Sequence, residues 1–293
     1  MTAAPPDNIV LRARGVVKSH NGTPALCGVS LRVHEGEVLA ITGPRGSGKS
    51  TLLACLGALL PVDDGEIWFA GAPIHTLPRT GRERLRLAHF GHVGSEPQLV
   101  PELTARENVA LPLLLSGSGH RAAYTAAAEW LERLDVADCA TSRPAELIQS
   151  QRQRIAVARA LAPQPRVVFA DDPAAPLHHE AQEQVLRILT TAARSHSLTL
   201  VLALHDPESA KHADRVVTLL DGRTTNPDDS PESSSGSIPD GNPHSDPDRD
   251  PDSGSDRGSG CPGSPDVPVG DTTAKAATTM KAATTVEAAT TPT

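Results

Sequence analysis

Residues 38–60, VLAITGPRGSGKSTLLACLGALL, constrain this chain more than any other stretch. Val38, Leu39, Ala40 and Ile41 form a short apolar run suited to a strand buried on both faces. Leu52, Leu53, Leu56, Leu59 and Leu60 then recur at helical spacing after Thr51. Between strand and helix, Gly43, Pro44, Arg45, Gly46, Ser47, Gly48, Lys49 and Ser50 match G-x-x-x-x-G-K-[ST]. The spacing has a chemical reason: glycines let backbone N–H groups close around phosphate oxygens, the following helix turns its positive end to them, and Lys49 adds a cation. Ser50 is placed to offer its hydroxyl to Mg²⁺. A glycine-rich turn capped by Ser47 or Ser50 would need neither the strand before nor the helix after. A nucleoside triphosphate with Mg²⁺ is the expected ligand.

Of the 35 acidic and 27 basic residues, twelve and four fall in 224–293. The formal charge of −8 therefore resides in that tail, and residues 1–223 are neutral overall. A neutral body argues against a general nucleic-acid binder, which needs a basic face to displace counterions. No apolar run is long enough to cross a bilayer, and the start, MTAAPPDN, has neither the charge nor the apolar core of a secretory signal. Cys27, Cys55, Cys139 and Cys261 are scattered without a C-x-x-C pair, as expected of reduced thiols. The expected location is the cytoplasm, with any membrane attachment supplied by another chain.

In order, 1–8 reads as a flexible lead, and 9–14 and 25–33 alternate as antiparallel strands about a turn at 20–22. Strands are expected at 65–70 and 89–93, with a polar helix near 82–87 between them. The pattern from 104 to 161 is helical, at 107–115, 122–134 and 149–161, and makes an inserted helical subdomain. Strand and helix then alternate again: strand 166–170, helix 179–194, strands 198–204 and 215–220. The fold class is α/β: a P-loop NTPase core with a mixed sheet and an antiparallel β subdomain, plus the helical insert. From 224 to 293 the composition falls to Ser, Pro, Asp, Gly, Thr and Ala, including a six-residue repeat from Lys275, and disorder is expected there.

The second half of a nucleotide site is legible in VVFADD, 167–172. A strand ends there in Asp171, on the metal side, and in Asp172, where a base could position water. With QRQRIAVARALAPQPRVVFADDP and LALHD, the chain resembles the ATP-binding-cassette (ABC) transporter ATPases over residues 9–222. PELTARENVALPLL and RPAEL resemble most the lipoprotein-release, macrolide-export and related cell-division branch. The resemblance implies that two cassettes face head to tail, as a homodimer or heterodimer, on a membrane permease. It implies phosphate and Mg²⁺ contacts from Lys49, Ser50 and Thr51, a metal-side carboxylate in Asp171, a γ-phosphate sensor in His205, and an adenine stack at His20. A soluble repair or translation member would carry tandem cassettes or a coiled-coil insert, and this chain has neither.

Five departures accompany the resemblance. The signature pentapeptide, usually LSGGQ, aligns with Leu147, Ile148, Gln149, Ser150 and Gln151. Asp172 stands where Glu is usual, Ser95 where the lid Gln is usual, His20 where an aromatic residue stacks on adenine, and His178 where an Asp closes the loop. All five weaken the chemistry after binding, while the phosphate loop is intact. Two readings follow: a transporter subunit that binds Mg-ATP and hydrolyses it weakly, coupled to its permease near 95–108, or a hydrolysis-deficient cassette acting as a nucleotide-dependent regulator or scaffold.

Overall fold

The computed structural model describes residues 8–175, 177 and 179–225. The expectations for the lead through residue 7, for His178 and for the tail from 226 onward lie outside the described residues.

Two sheets organise these residues. The first is antiparallel, in the order β2 (Thr23–His34), β1 (Ile9–His20), β4 (Asp64–Phe69), β5 (Ala72–Pro73). The second contains β3 (Val38–Thr42), β6 (Phe90–Val93), β7 (Val167–Asp171), β8 (Thr199–Leu204), β9 (Arg215–Leu220) and β10 (Arg223–Thr224). Its order is β10-β9-β3-β8-β7-β6, parallel from β9 to β6, with β10 antiparallel at the edge. The α/β expectation with an added antiparallel sheet holds.

The apolar runs of the parallel sheet are explained by its two covered faces. On β3, Val38 and Ala40 join a core shared with helices α3 (Ala105–Leu115), α4 (His120–Arg133), α5 (Gln149–Leu161) and α6 (His179–Ser195). Leu39 and Ile41 point the other way, toward α1 (Lys49–Leu56) and the antiparallel sheet. Helix α1 is sandwiched between the sheets, which is why Leu52, Leu53, Cys55 and Leu56 are all buried. The chain's three phenylalanines link the layers edge to face: Phe69 to Phe90 at 4.9 Å between ring centroids, and Phe90 to Phe169 at 5.3 Å.

Some elements run beyond the lengths read from sequence. β1 continues to His20 through register shifts at Ala13/Val16, Val16/Val17 and Lys18/Ser19, and each shift breaks the alternation by which a strand is recognised. Helix α2 (Arg79–His89) has no buried residue and starts before the 82–87 read from sequence. β5 and β10 have two residues each, too few for any period, and β10 carries the sheet to Thr224. Among the described residues, Cys27, Cys55 and Cys139 form no disulfide.

Candidate nucleotide site

Three parallel strands end at one level. Thr42 of β3 pairs with Leu204 of β8, and Ala203 of β8 pairs with Asp171 of β7. Chain leaving the carboxyl ends of such strands lines a crevice, the usual place for a ligand in open α/β sheets. Here the loop 43–48 leaves β3, His205 follows β8, and Asp172 follows β7.

The loop's shape depends on two close approaches. A Cβ on Gly43 would lie 2.1 Å from the carbonyl oxygen of Leu219, and one on Gly48 would lie 2.3 Å from that of Ala25. Both positions are closed to any side chain. Beside Gly46 there is open space. Lys49 is buried, and its Nζ donates to the carbonyls of Gly43 at 2.7 Å and Pro44 at 2.8 Å, folding the loop over the lysine. Burial lowers the Lys49 pKa, against the opposing charges of Asp172 and Asp171. Ser47 is also buried, and its Oγ has no hydrogen-bond partner among the described residues.

Ser50 Oγ donates to Asp171 Oδ1 at 3.0 Å, joining the first turn of α1 to the end of β7. Burial raises the Asp171 pKa, and the Ser50 hydrogen bond opposes it. A hydroxyl beside a carboxylate is a hard-oxygen pair suited to Mg²⁺, which binds through one or two carboxylates and takes its remaining ligands from phosphate and water. Among the described residues there is no group of three or more His, Cys, Asp or Glu able to hold a metal by themselves. The Asp172 N–H donates to the Ala203 carbonyl at 2.9 Å and its φ is +45°, so the chain turns sharply and its carboxylate meets His205 Nε2 at 3.3 Å.

His20, Arg45, Gly46, Gly48, Lys49, Ser50, Thr51 and His205 thus line one cleft of about 430 Å³, completed by Thr23, Pro24 and Ala25. His20 Nε2 lies 3.1 Å from Thr51 Oγ1. Of the other residues singled out in the sequence, Gly43, Pro44 and Ser47 build the loop, and Asp171 and Asp172 stand behind it through Ser50 and His205. Thr23, Pro24 and Ala25 escaped notice because nothing in their types suggests a ligand. Their position directly after the turn that carries His20 was the available signal.

The signature segment and Ser95 do not line this cleft. Ile148 caps α5 and is 64% exposed, and its N–H donates to Gln151 Oε1 at 3.0 Å, so the helix's own side chain occupies that donor. Gln153, fully buried on α5, donates from Nε2 to the Gly94 carbonyl at 2.9 Å. Arg159 donates to the carbonyls of Pro97 and Gln98 at 2.9 and 2.8 Å. Helix α5 therefore holds the segment that contains Ser95. Asn108, also fully buried, accepts from the Val100 N–H at 2.8 Å and donates to the carbonyls of Val100, Leu103 and Thr104, tying that segment to α3. Gln153 and Arg159 went unremarked in the sequence, although polar residues interrupting an apolar helical stripe were visible there.

The ABC transporter family matches residues 26–175. The lipoprotein-releasing system ATP-binding protein LolD of Koribacter versatilis is 39% identical over 194 residues, covering 66% of this chain and 87% of that protein. The ABC transporter ATP-binding protein YbbA of Escherichia coli K12 is 38% identical over 198 residues, with 68% and 87% covered. The macrolide export ATP-binding/permease protein MacB of Marinobacter nauticus is 37% identical over 215 residues, 73% of this chain but 33% of that protein. Among solved structures, the dimeric ATP-binding cassette MJ0796 in a post-hydrolysis state bound to ADP and Pi aligns with a TM-score of 0.70 and 31% identity, over 74% of this chain and 97% of that one. The cleft, the two sheets and these likenesses agree: the chain belongs to the ABC transporter family and is an ATP-binding subunit of that kind.

Proposed function

We propose that this chain binds Mg-ATP in the cleft between His20 and His205 and passes the energy of binding, with slow hydrolysis, to a separate membrane permease. The observation that carries the reading is the joining of two strand ends, β3 and β7, through Lys49, Ser50 and Asp171: a buried ammonium folded under a glycine loop, beside a hydroxyl and carboxylate 3.0 Å apart. The phosphates would take the loop N–H groups and Lys49. Ser50 and Asp171 would hold Mg²⁺, which neutralises phosphate charge. His20 offers a ring for the base, and His205 is the donor at the cleft's far wall.

The permease is proposed as another chain because the match takes up only a third of the MacB relative, whose name joins an ATP-binding part to a permease part. Among the described residues no helix is long and apolar enough to cross a membrane. A dimer of cassettes is proposed from the likeness to the dimeric MJ0796 cassette. The partner cassette would be a second copy or a relative, on the inner face of the cell membrane.

Slow hydrolysis follows from two features. Asp172 is engaged with His205 at 3.3 Å and is one methylene shorter than the glutamate usual in this family, and a displaced general base forfeits a factor of roughly 10²–10⁴. Gln149 and Ser150 place side chains at the α5 terminus, where glycines would let backbone N–H groups approach a partner's phosphate.

The test measures Mg-ATP affinity and phosphate release with the full chain, alone and with its co-purified permease. Lys49→Ala is expected to weaken ATP binding by about 10–100-fold, the value of a charge-assisted contact. Unchanged affinity overturns the assignment of the cleft. Turnover near the enzyme median of about 10 s⁻¹ overturns slow hydrolysis and leaves the cleft standing.

A further inference from the structure

The polar side chains lining the cleft are, with few exceptions, already engaged. Lys49 donates to two loop carbonyls, Ser50 to Asp171, His20 contacts Thr51, and His205 contacts Asp172. Arg45 is different. It lines the same cleft, is exposed, and makes no hydrogen bond or ion pair with any described residue. Among the described residues no carboxylate lines the cleft. A guanidinium held on a loop between Gly43 and Gly46, lining the cleft and without an acidic partner among the described residues, is suited to an anion.

The anion's position follows from what the other groups can reach. The N-terminus of α1 and Lys49 would hold a phosphate bound inside the loop. At the start of α5, Ile148 gives its N–H to Gln151, and Gln149 and Ser150 bear side chains. A second copy of this chain, presenting that surface across a dimer, would have the side chains of Gln149 and Ser150 between its first-turn N–H groups and the terminal phosphate. We propose that Arg45 supplies that contact from within the same chain: its guanidinium binds the γ-phosphate of ATP and sets the preference for ATP over ADP. The proposal rests on the reading of the cleft as a nucleotide site. An arginine delivered in cis to a terminal phosphate is chemically equivalent to one delivered by a partner protein. It would make the closed state depend less on the altered α5 terminus.

The experiment compares equilibrium binding of Mg-ATP and Mg-ADP to the full chain and to Arg45→Ala, Arg45→Gln and Lys49→Ala. Arg45→Ala is expected to weaken ATP binding about tenfold and ADP binding less than twofold, because one charge-assisted contact to the γ-phosphate is lost. Arg45→Gln, which keeps length and hydrogen-bonding capacity but not charge, shows the same selective loss. Because Arg45 is exposed, both variants keep the wild-type melting temperature. Equal losses for ATP and ADP, or no loss, overturn the proposal. So does full ATP preference in the Gln variant. Lys49→Ala separates the two readings: if it weakens both nucleotides while Arg45→Ala weakens neither, the cleft stands and the role of Arg45 falls.

Discussion

The phosphate loop and the start of α5 are both chain entering a helix, and they treat their backbone donors in opposite ways. In the loop, Gly43 and Gly48 lie so close to the Leu219 and Ala25 carbonyls that a methyl group cannot be inserted, and the space beside Gly46 is open. At α5, Gln149 and Ser150 carry side chains in the first turn, and the Ile148 N–H is taken by Gln151. One terminus is shaped to receive an anion, and the other presents side chains there and engages one donor with its own glutamine. The half of the site that retains a ligand and the half that would close over it can therefore be altered separately in one chain.

The largest effect should come from making the second terminus resemble the first. The combined variant Gln149→Gly, Ser150→Gly and Asp172→Glu removes the side chains over the α5 donors and lengthens the carboxylate that now meets His205. Phosphate release with the permease present is expected to rise about 10²–10³-fold, the span associated with preorganised oxyanion donors. ATP affinity of the isolated chain should stay within about twofold, because none of the three residues lines the cleft. A rise in affinity without a rise in rate would mean that the two termini are not independent.

A smaller effect separates the supports of the two regions. His92 lies beneath the end of α1, where Gly57 leaves room for it: a Cβ there would sit 2.5 Å from the imidazole Cε1. Its ring stacks on Phe169 at 5.4 Å, and its Nε2 has no partner among the described residues. Burial, with the Arg86 charge, pushes the His92 pKa down to about 4 from 6.5. The unfolded chain thus takes up a proton that the folded chain refuses. His92's contribution to stability is complete above pH 6.5, declines as the pH falls toward 4, and changes no further below that. The loss totals about 3 kcal/mol. In denaturant melts across this window, wild type should lose stability relative to His92→Phe by that amount as the pH falls. Hydrogen exchange should quicken first in α1 and β6, since the proton enters beneath the phosphate-loop half.

The same contrast explains what could be read in the sequence. The phosphate loop was legible because its constraints are local: strand, glycines, lysine and helix adjoin, and each residue type has a single mechanical reason. α5 was legible to its exact ends, Gln149 and Leu161, because a helix of thirteen residues shows several turns of period. What was hidden depends on contacts between distant residues. Gln153 and Arg159 gain their meaning only when Gly94, Pro97 and Gln98 are placed against them. The Asp172–His205 contact requires a residue at φ +45° that hydrogen-bonds across to β8, which no periodicity reports. β1 was shortened by its register shifts and β10 by its two-residue length.

The smallest expected effect concerns single methyl groups. Gly46 has φ +81° and nothing within 4 Å of where its Cβ would lie, so Gly46→Ala meets backbone strain and no collision. An L-residue held in the left-handed region costs about 1 kcal/mol, and melting should register that loss. Ser150→Ala changes a comparable number of atoms in the first turn of α5, where the backbone is helical and alanine is the better helix former. Its effect should stay within about 0.5 kcal/mol and be neutral or stabilising. If Gly46→Ala were as mild as Ser150→Ala, the loop would not be holding its glycine in a conformation other residues avoid. The distinction between a terminus built for a ligand and one that presents side chains instead would then rest on those side chains alone.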